Sequence, residues 1–571
     1  MICEFTPASD FVPANLDATS WEELRPLYEQ LLARPLNSAE DLERLLLDRS
    51  ELDAAASEAG SILYINMTCR TDDPATTRAY LDFVENVQPR LKETGFELDR
   101  KIVQSPHAAR LDPDRYRVLL RDLRVGVEIF RPENVPIETE LAKLEQEYQA
   151  ICGAMTVSFR GEEKTLPQMN RYFEEPDRTT REEAWRLVWE RRFQDRERVE
   201  ALYETMIAKR HQVAMNAGFS SYRDYVFKAK RRFDYTPETC HQFAAGVEQV
   251  VVPALRRLNH ERRDALQLDR LRPWDLAVDV KGRPALRPFE TADEMVAKTR
   301  RVFRRLDPTL GELFDSLCGG GCLDLDSRKG KAPGGYQSNR DRVRQPFIFM
   351  NAAGVQRDVE TMVHEAGHAF HALLCRRDPL LAYRSEIPLE FAEVASMSME
   401  MATHHLLDEF YQSPQDAGRA VRVHLEQLAT ILPWIATIDQ FQHWAYTHPM
   451  HSRAGRRDTW VGLNARFGPA VDYSGLEPYL DMSWQRQLHL FGAPFYYIEY
   501  GIAQLGALQL WLNFRRDPAQ ALDAYKRALA LGGSRPLPEL FEAAGLEFDF
   551  GPAMIERLWG EVDRELASLP A

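Results

Sequence analysis

A chain of 571 residues, 44% hydrophobic and 28% charged, has the makeup of a water-soluble protein with room for a large core. Its net charge of −15, from 72 basic against 87 acidic residues, excludes a general nucleic-acid binder, which needs a basic face. Seven scattered cysteines form no disulfide framework, no run approaches about 18 apolar residues, and the opening MICEFTPASDFVPANLD lacks the basic-then-apolar order of a secretory leader; a cytoplasmic protein that does not enter a membrane is expected. Helical signals then dominate. From residue 20 to about 60, apolar stripes alternate with charged faces, and Ser20 and Ser38 stand as N-caps. MTVSFRGEEKTLP (155–167) reads as a small hairpin around Gly161. The charged stretch from Thr179 ends in Asn216-Ala217-Gly218, a helix stop, and its arginines and glutamates read as a solvated face. SLCGGGCLD and KGKAPGGYQSNR are glycine-rich and read as loops, with Cys318 and Cys322 incidental. RQPFIFMNAAG (344–354) is a short strand bounded by Pro346 and Gly354, and Asp358 is the expected N-cap of the helix after it. A division into an N-terminal helical region, 1–170, and a larger region carrying the motifs, 171–571, is expected.

That helix holds His364-Glu365-Ala366-Gly367-His368. Residues four apart share a helix face, so two imidazoles can meet one ion, and the glutamate beside them can act as general base to a water on it. With 14 histidines and 87 acids in the chain, chance supplies about 0.05 such patterns. The small and apolar neighbours Ala366, Gly367, Ala369 and Phe370 imply a buried helix, where an unpartnered imidazole is costly. A histidine at 374 would complete a three-histidine pattern, but Leu374 stands there. The acids of EIPLEFAEVASMSMEMATHH are the next donors. Glu393 and Glu400 lie seven apart on nearly one face of a helix apolar almost all round, so both should be buried, one on the metal and the other orienting a ligand. Either fits the chemistry. His371 reads as a core residue; His404, His405, His448 and His451 read as surface or loop histidines.

HEAGHAFH with a glutamate 25 residues after His368 resembles the thimet oligopeptidase and oligoendopeptidase F family of zinc metallopeptidases. GKAPGGYQSNRDRVRQPFIFMN, LPWIATIDQFQHWAYTHP and HLFGAPFYYIEYGIAQLGALQLW are similar too, the last nearer the oligoendopeptidase F and Pz-peptidase branch. The resemblance implies a mainly α, two-lobed helical ellipsoid with a deep central channel and a small β element next to the HExxH helix, a gluzincin-like arrangement. It implies one zinc ion per chain on His364, His368 and Glu393, with Glu400 behind them, Glu365 as base, and short peptides as substrates. His489 and Tyr500, with Tyr497 as second choice, are implied donors to the scissile carbonyl, while Tyr496 is expected to pack. PFIFMN, through Phe347, Met350, Asn351 and Ala353, is expected to offer a strand edge to substrate, and Gly334, Gly335 and Tyr336 a flexible lip. The competing readings are a helical peptide-binding scaffold with a structural metal, and a zinc exopeptidase.

Overall fold

The computed structural model describes residues 9–569 apart from Lys329 and Pro333. Cys3, the start of the leader reading, and those two positions of the glycine-rich stretch lie outside the described residues. Helices dominate, with five short strands: β1 (Thr156–Phe159), β2 (Glu162–Thr165), β3 (Leu323–Asp326), β4 (Tyr336–Arg340) and β5 (Gln345–Ala352). β1 and β2 form the expected antiparallel hairpin. Its turn places Arg160 at φ 53° and Gly161 at φ 82°, the left-handed pair that a two-residue hairpin turn requires.

The chain divides into two compact units, each discontinuous in sequence rather than split at residue 170. The first comprises the chain through Glu128, Leu286–Val421 and Ile502–Phe548. The second comprises Ile129–Ala285, Arg422–Gly501 and the chain from Asp549 onward.

In the first unit the N-terminal helices Trp21–Ala33 and Ala39–Cys69 bury Leu24, Tyr28, Leu31, Leu42 and Leu45 in one core that also takes in Leu380 and Tyr383. The Ser38 hydroxyl accepts the Asp41 N–H and caps the long helix as expected; Ser20 holds its N-cap position without a side-chain bond. β3, β5 and β4 form one sheet in that order, β3 parallel and β4 antiparallel to β5. YQSNR, read as loop, is therefore strand, and PFIFMN is the central strand rather than an open edge. Its unbroken apolar run has this cause: Phe347, Ile348, Phe349 and Met350 are all buried, as in a strand covered on both faces. The turn between β4 and β5 is pinned by Arg344, at φ 52°, whose guanidinium pairs with Glu51 at 2.8 Å and donates to the Arg376 carbonyl at 2.7 Å. Sheet, N-terminal helix and the far end of the HExxH helix are thereby tied together.

In the second unit the charged stretch breaks at Asp195 into two helices, Arg178–Gln194 and Arg196–Asn216, and Gly218 at φ 86° ends the latter. Most of its charges are solvated, but two arginines are not. Arg181 pairs with the fully buried Asp275 at 3.1 Å, and Arg210 donates to the Tyr446 hydroxyl at 2.7 Å and the Leu490 carbonyl at 3.0 Å. Among the described residues, no helix is long and apolar enough to cross a membrane.

Candidate metal centre

The HExxH helix runs Gln356–Cys375, three residues earlier than an Asp358 N-cap would allow. Asp358 occupies its third position, and its carboxylate accepts the N–H groups of Ala353 at 2.8 Å and Val355 at 3.0 Å, reaching back over the helix start. The helix Leu389–Ala402 crosses it closely, and Gly367 is the reason. A Cβ at 367 would lie 2.6 Å from the Ala395 carbonyl oxygen and 2.6 Å from Ser396 Cα. Only glycine lets the two backbones approach so far, and the approach brings Glu393 against the histidines.

His364 Nε2 lies 3.4 Å and His368 Nε2 3.6 Å from Glu393 Oε2, with the two rings nearly perpendicular. One donor atom from each residue falls within 4.8 Å of the others, the gathering a single small cation demands. On its far side His364 Nδ1 meets Glu400 Oε1 at 2.6 Å. In the neutral imidazole that bond places the ring proton on Nδ1 and keeps the Nε2 lone pair for a cation beside Glu393. The Ser396 hydroxyl donates to Glu393 Oε2 at 3.0 Å. Glu393 is 5% exposed and Glu365 7%, while Glu400 is only part-buried. Thus the two acids left open by their spacing part company in space: Glu393 faces both imidazoles, Glu400 the back of one.

Electrostatics agrees. Burial alone would lower His364, but the Glu400 hydrogen bond and the charges of Glu400, Glu393 and Glu365 carry it up to about 9. The pocket therefore calls for positive charge, supplied by a proton or a cation. Burial holds His368 well below its ordinary value, so its lone pair stays available. Burial also lifts Glu365 to about 7, opposed by His364 and assisted by Glu393 and Glu400. His371 is buried outside the group, without a hydrogen bond at either nitrogen, and burial pushes it down to about 3.

The expected lip is not free. Tyr336 opens β4, its hydroxyl 2.6 Å from Thr68 Oγ1 and its ring stacked on Phe349. Asn351 donates to the carbonyls of Ala332 at 2.7 Å and Gly334 at 3.0 Å, and a Cβ on Gly335 would come 3.1 Å from the Thr361 methyl, one turn before His364. Phe347 and Met350 are buried in β5, and Ala353 N–H is taken by Asp358. These residues pack within the sheet or beside the HExxH helix, and the two edges of the sheet are β3 and β4.

In the second unit, His489 and Tyr496, which precede the helix Tyr497–Arg516, cluster with Tyr497 and Tyr500 of its first turn. Phe495, at φ 61°, starts this cluster, a strained setting for an aromatic residue. Gln442 Oε1 accepts its N–H at 2.6 Å and Arg232 caps its carbonyl, while Glu499 pairs with Arg232 at 2.7 Å and Lys230 at 3.0 Å. His489 Nδ1 is bonded to Gln487 at 2.8 Å, and burial lowers its pKa, so the ring is neutral near pH 7. Burial raises the pKa of the Tyr497 hydroxyl.

Comparison with known proteins decides the family. A model described as peptidase family M3 matches residues 171–558, and one described as the peptidase M3 N-terminal domain matches 11–130. The chain belongs to peptidase family M3. It is similar to an oligoendopeptidase F homolog of Borreliella burgdorferi, 22% identical over 541 residues that cover 90% of this chain and 86% of the relative. A solved Pz peptidase A with an inhibitor superposes with a TM-score of 0.89 at 28% identity, covering 100% of this chain and 99% of that one. The oligoendopeptidase F of Enterococcus faecium shares the fold alone, with a TM-score of 0.65 at 16% identity over 96% of each chain. Membership in M3 makes this protein a peptidase of the metal-dependent oligopeptidase type.

Proposed function

We propose that this M3 peptidase is a zinc-dependent oligoendopeptidase that hydrolyses internal bonds of short, unstructured peptides. The observation that carries the reading is the convergence of His364 Nε2, His368 Nε2 and a Glu393 oxygen, with Glu365 buried beside them. Two imidazoles and one carboxylate suit zinc, and these three residues would hold one ion per chain. When bound, zinc supplies Lewis acidity at the peptide carbonyl and an acidified water of pKa about 7.

The chain's own groups do the rest. Glu365, whose folded pKa is lifted toward neutrality, takes a proton from the attacking water and delivers it to the leaving amine. Glu400 holds His364 in the tautomer that keeps Nε2 free. His489, neutral and steadied by Gln487, and Tyr500 donate to the carbonyl oxygen as it gains charge; each such donor is worth about 100–1000-fold in turnover. Tyr497 stands second, its ring centroid 4.9 Å from that of His489 and 5.7 Å from that of Tyr500. An extended substrate adds to the edge strand β4, one strand away from the edge expected for PFIFMN. Cys69, Cys152, Cys240, Cys318, Cys322 and Cys375 form no disulfide with one another, which suits a reducing, cytoplasmic setting.

The test is digestion of a peptide length series, read by mass spectrometry, with and without a chelator. Internal cuts that vanish on chelation and return with zinc are expected. Stepwise trimming from one end would make the protein an exopeptidase, and metal binding without cleavage would make it a scaffold.

A further inference from the structure

A second gathering of metal-type donors lies wholly in the second unit. Cys240 sits on the helix Pro237–Gly246, and Asp439 and His443 sit four residues apart on the helix Pro414–Thr447. One donor atom of each lies within 4.8 Å of the others. All three side chains are sealed from solvent, at 0%, 1% and 3% exposure.

Their hydrogen bonding is incomplete. Neither ring nitrogen of His443 has a hydrogen-bond partner, and Asp439 Oδ1 has none. His443 Nε2 does lie 3.2 Å from Asp439 Oδ2, but the pair lacks hydrogen-bond alignment, and the nearest polar help to Oδ2 is the Gln440 amide at 3.2 Å. The walls are aromatic: the ring centroids of Phe495 and Phe227 lie 5.2 Å and 6.0 Å from that of His443. Such walls strengthen any charge left unbalanced and offer nothing to bond it.

We propose that Cys240, Asp439 and His443 bind a second divalent cation of the zinc type, with a structural role. A thiolate and a carboxylate bring two negative charges and the imidazole none, so one divalent cation makes the buried cluster neutral. A sulfur and a nitrogen in the set select zinc over magnesium or calcium, which prefer oxygen alone. Metal binding releases the thiol proton while the neutral imidazole keeps the proton on its non-ligating nitrogen, and the ion then satisfies the other ring nitrogen and the carboxylate together. It also cross-links two helices distant in sequence. His241, with its ring centroid 4.7 Å from that of His443 and its Nδ1 held by Gln440 at 2.7 Å, is the nearest further imidazole. The inference does not rest on the peptidase reading, because the His364 group contains no sulfur.

That difference supplies the test. The full-length apoprotein is reconstituted with cobalt(II) under reducing, oxygen-free conditions, and metal per chain and near-ultraviolet absorption are measured. Two equivalents and a thiolate-to-cobalt charge-transfer band are expected, and Cys240→Ser should lose the band and one equivalent while keeping peptide hydrolysis. Should Cys240→Ser fail to fold, zinc-edge X-ray absorption of the wild-type holoenzyme decides, with one sulfur neighbour shared over two zinc ions expected. A single equivalent without the band, no sulfur neighbour, or a band that survives in Cys240→Ser would each overturn the proposal.

Discussion

Two groups in this chain follow one plan and differ in everything around it. In each, a pair of residues four apart on a helix meets a donor from a second helix: His364 and His368 with Glu393, Asp439 and His443 with Cys240. The first group keeps its histidines partly exposed, backs His364 with Glu400 at 2.6 Å, and sets Glu365 beside it with a pKa lifted to about 7. The second has sealed ligands and aromatic walls, and its histidine has no hydrogen bond at either ring nitrogen. A donor set alone therefore says little about catalysis. What would suit the first group to the proposed hydrolysis is access, an oriented histidine and an acid whose pKa lies near neutrality.

The comparison can be sharpened at the backing acid. Glu400→Ala should weaken zinc binding at the His364 group by about 10–100-fold in a competition titration, because the imidazole loses the bond that sets its tautomer. Glu400→Gln, which keeps an acceptor at that place, should recover part of the loss. Equal affinity in all three proteins would show that the group needs no backing and would erase its contrast with the sealed one. A smaller effect is expected from the packing that assembles the group. Gly367→Ala drives a methyl into the Ala395 carbonyl and Ser396 Cα, both 2.6 Å away, so overpacking should cost about 1–3 kcal/mol in chemical denaturation. A fully stable Gly367→Ala protein would mean that the helices do not depend on that close approach.

The legible parts of the site were those written within one helix. His364, Glu365 and His368 follow from spacing, because a helix turns sequence distance into geometry directly. Glu393 and Glu400 did not separate by spacing, since seven residues return to nearly the same face; the crossing at Gly367 is what aims one of them at the histidines. PFIFMN was misplaced for a related reason. An apolar run of that length shows that both faces are covered but not which neighbours flank its edges, and the second neighbour, YQSNR, hides inside a glycine-rich stretch. The Cys240 cluster was missed because its cysteine and its Asp–His pair lie far apart in sequence. Its one local signal was Asp439 and His443 at helical spacing within IATIDQFQHWAY, the same spacing that made HEAGH conspicuous. The helical class and the capped starts at Ser38 and Gly218's helix stop were readable because capping and periodicity are local properties.

The central claim is that Glu365 serves as the base of a zinc site without being one of its ligands. The most direct measurement is zinc content and single-turnover cleavage of an internally quenched peptide by Glu365→Gln beside the wild type. The account predicts one zinc retained at the His364 group and cleavage reduced by at least about 100-fold, the usual reach of a positioned general base. Zinc retained with cleavage near the wild-type rate would contradict it.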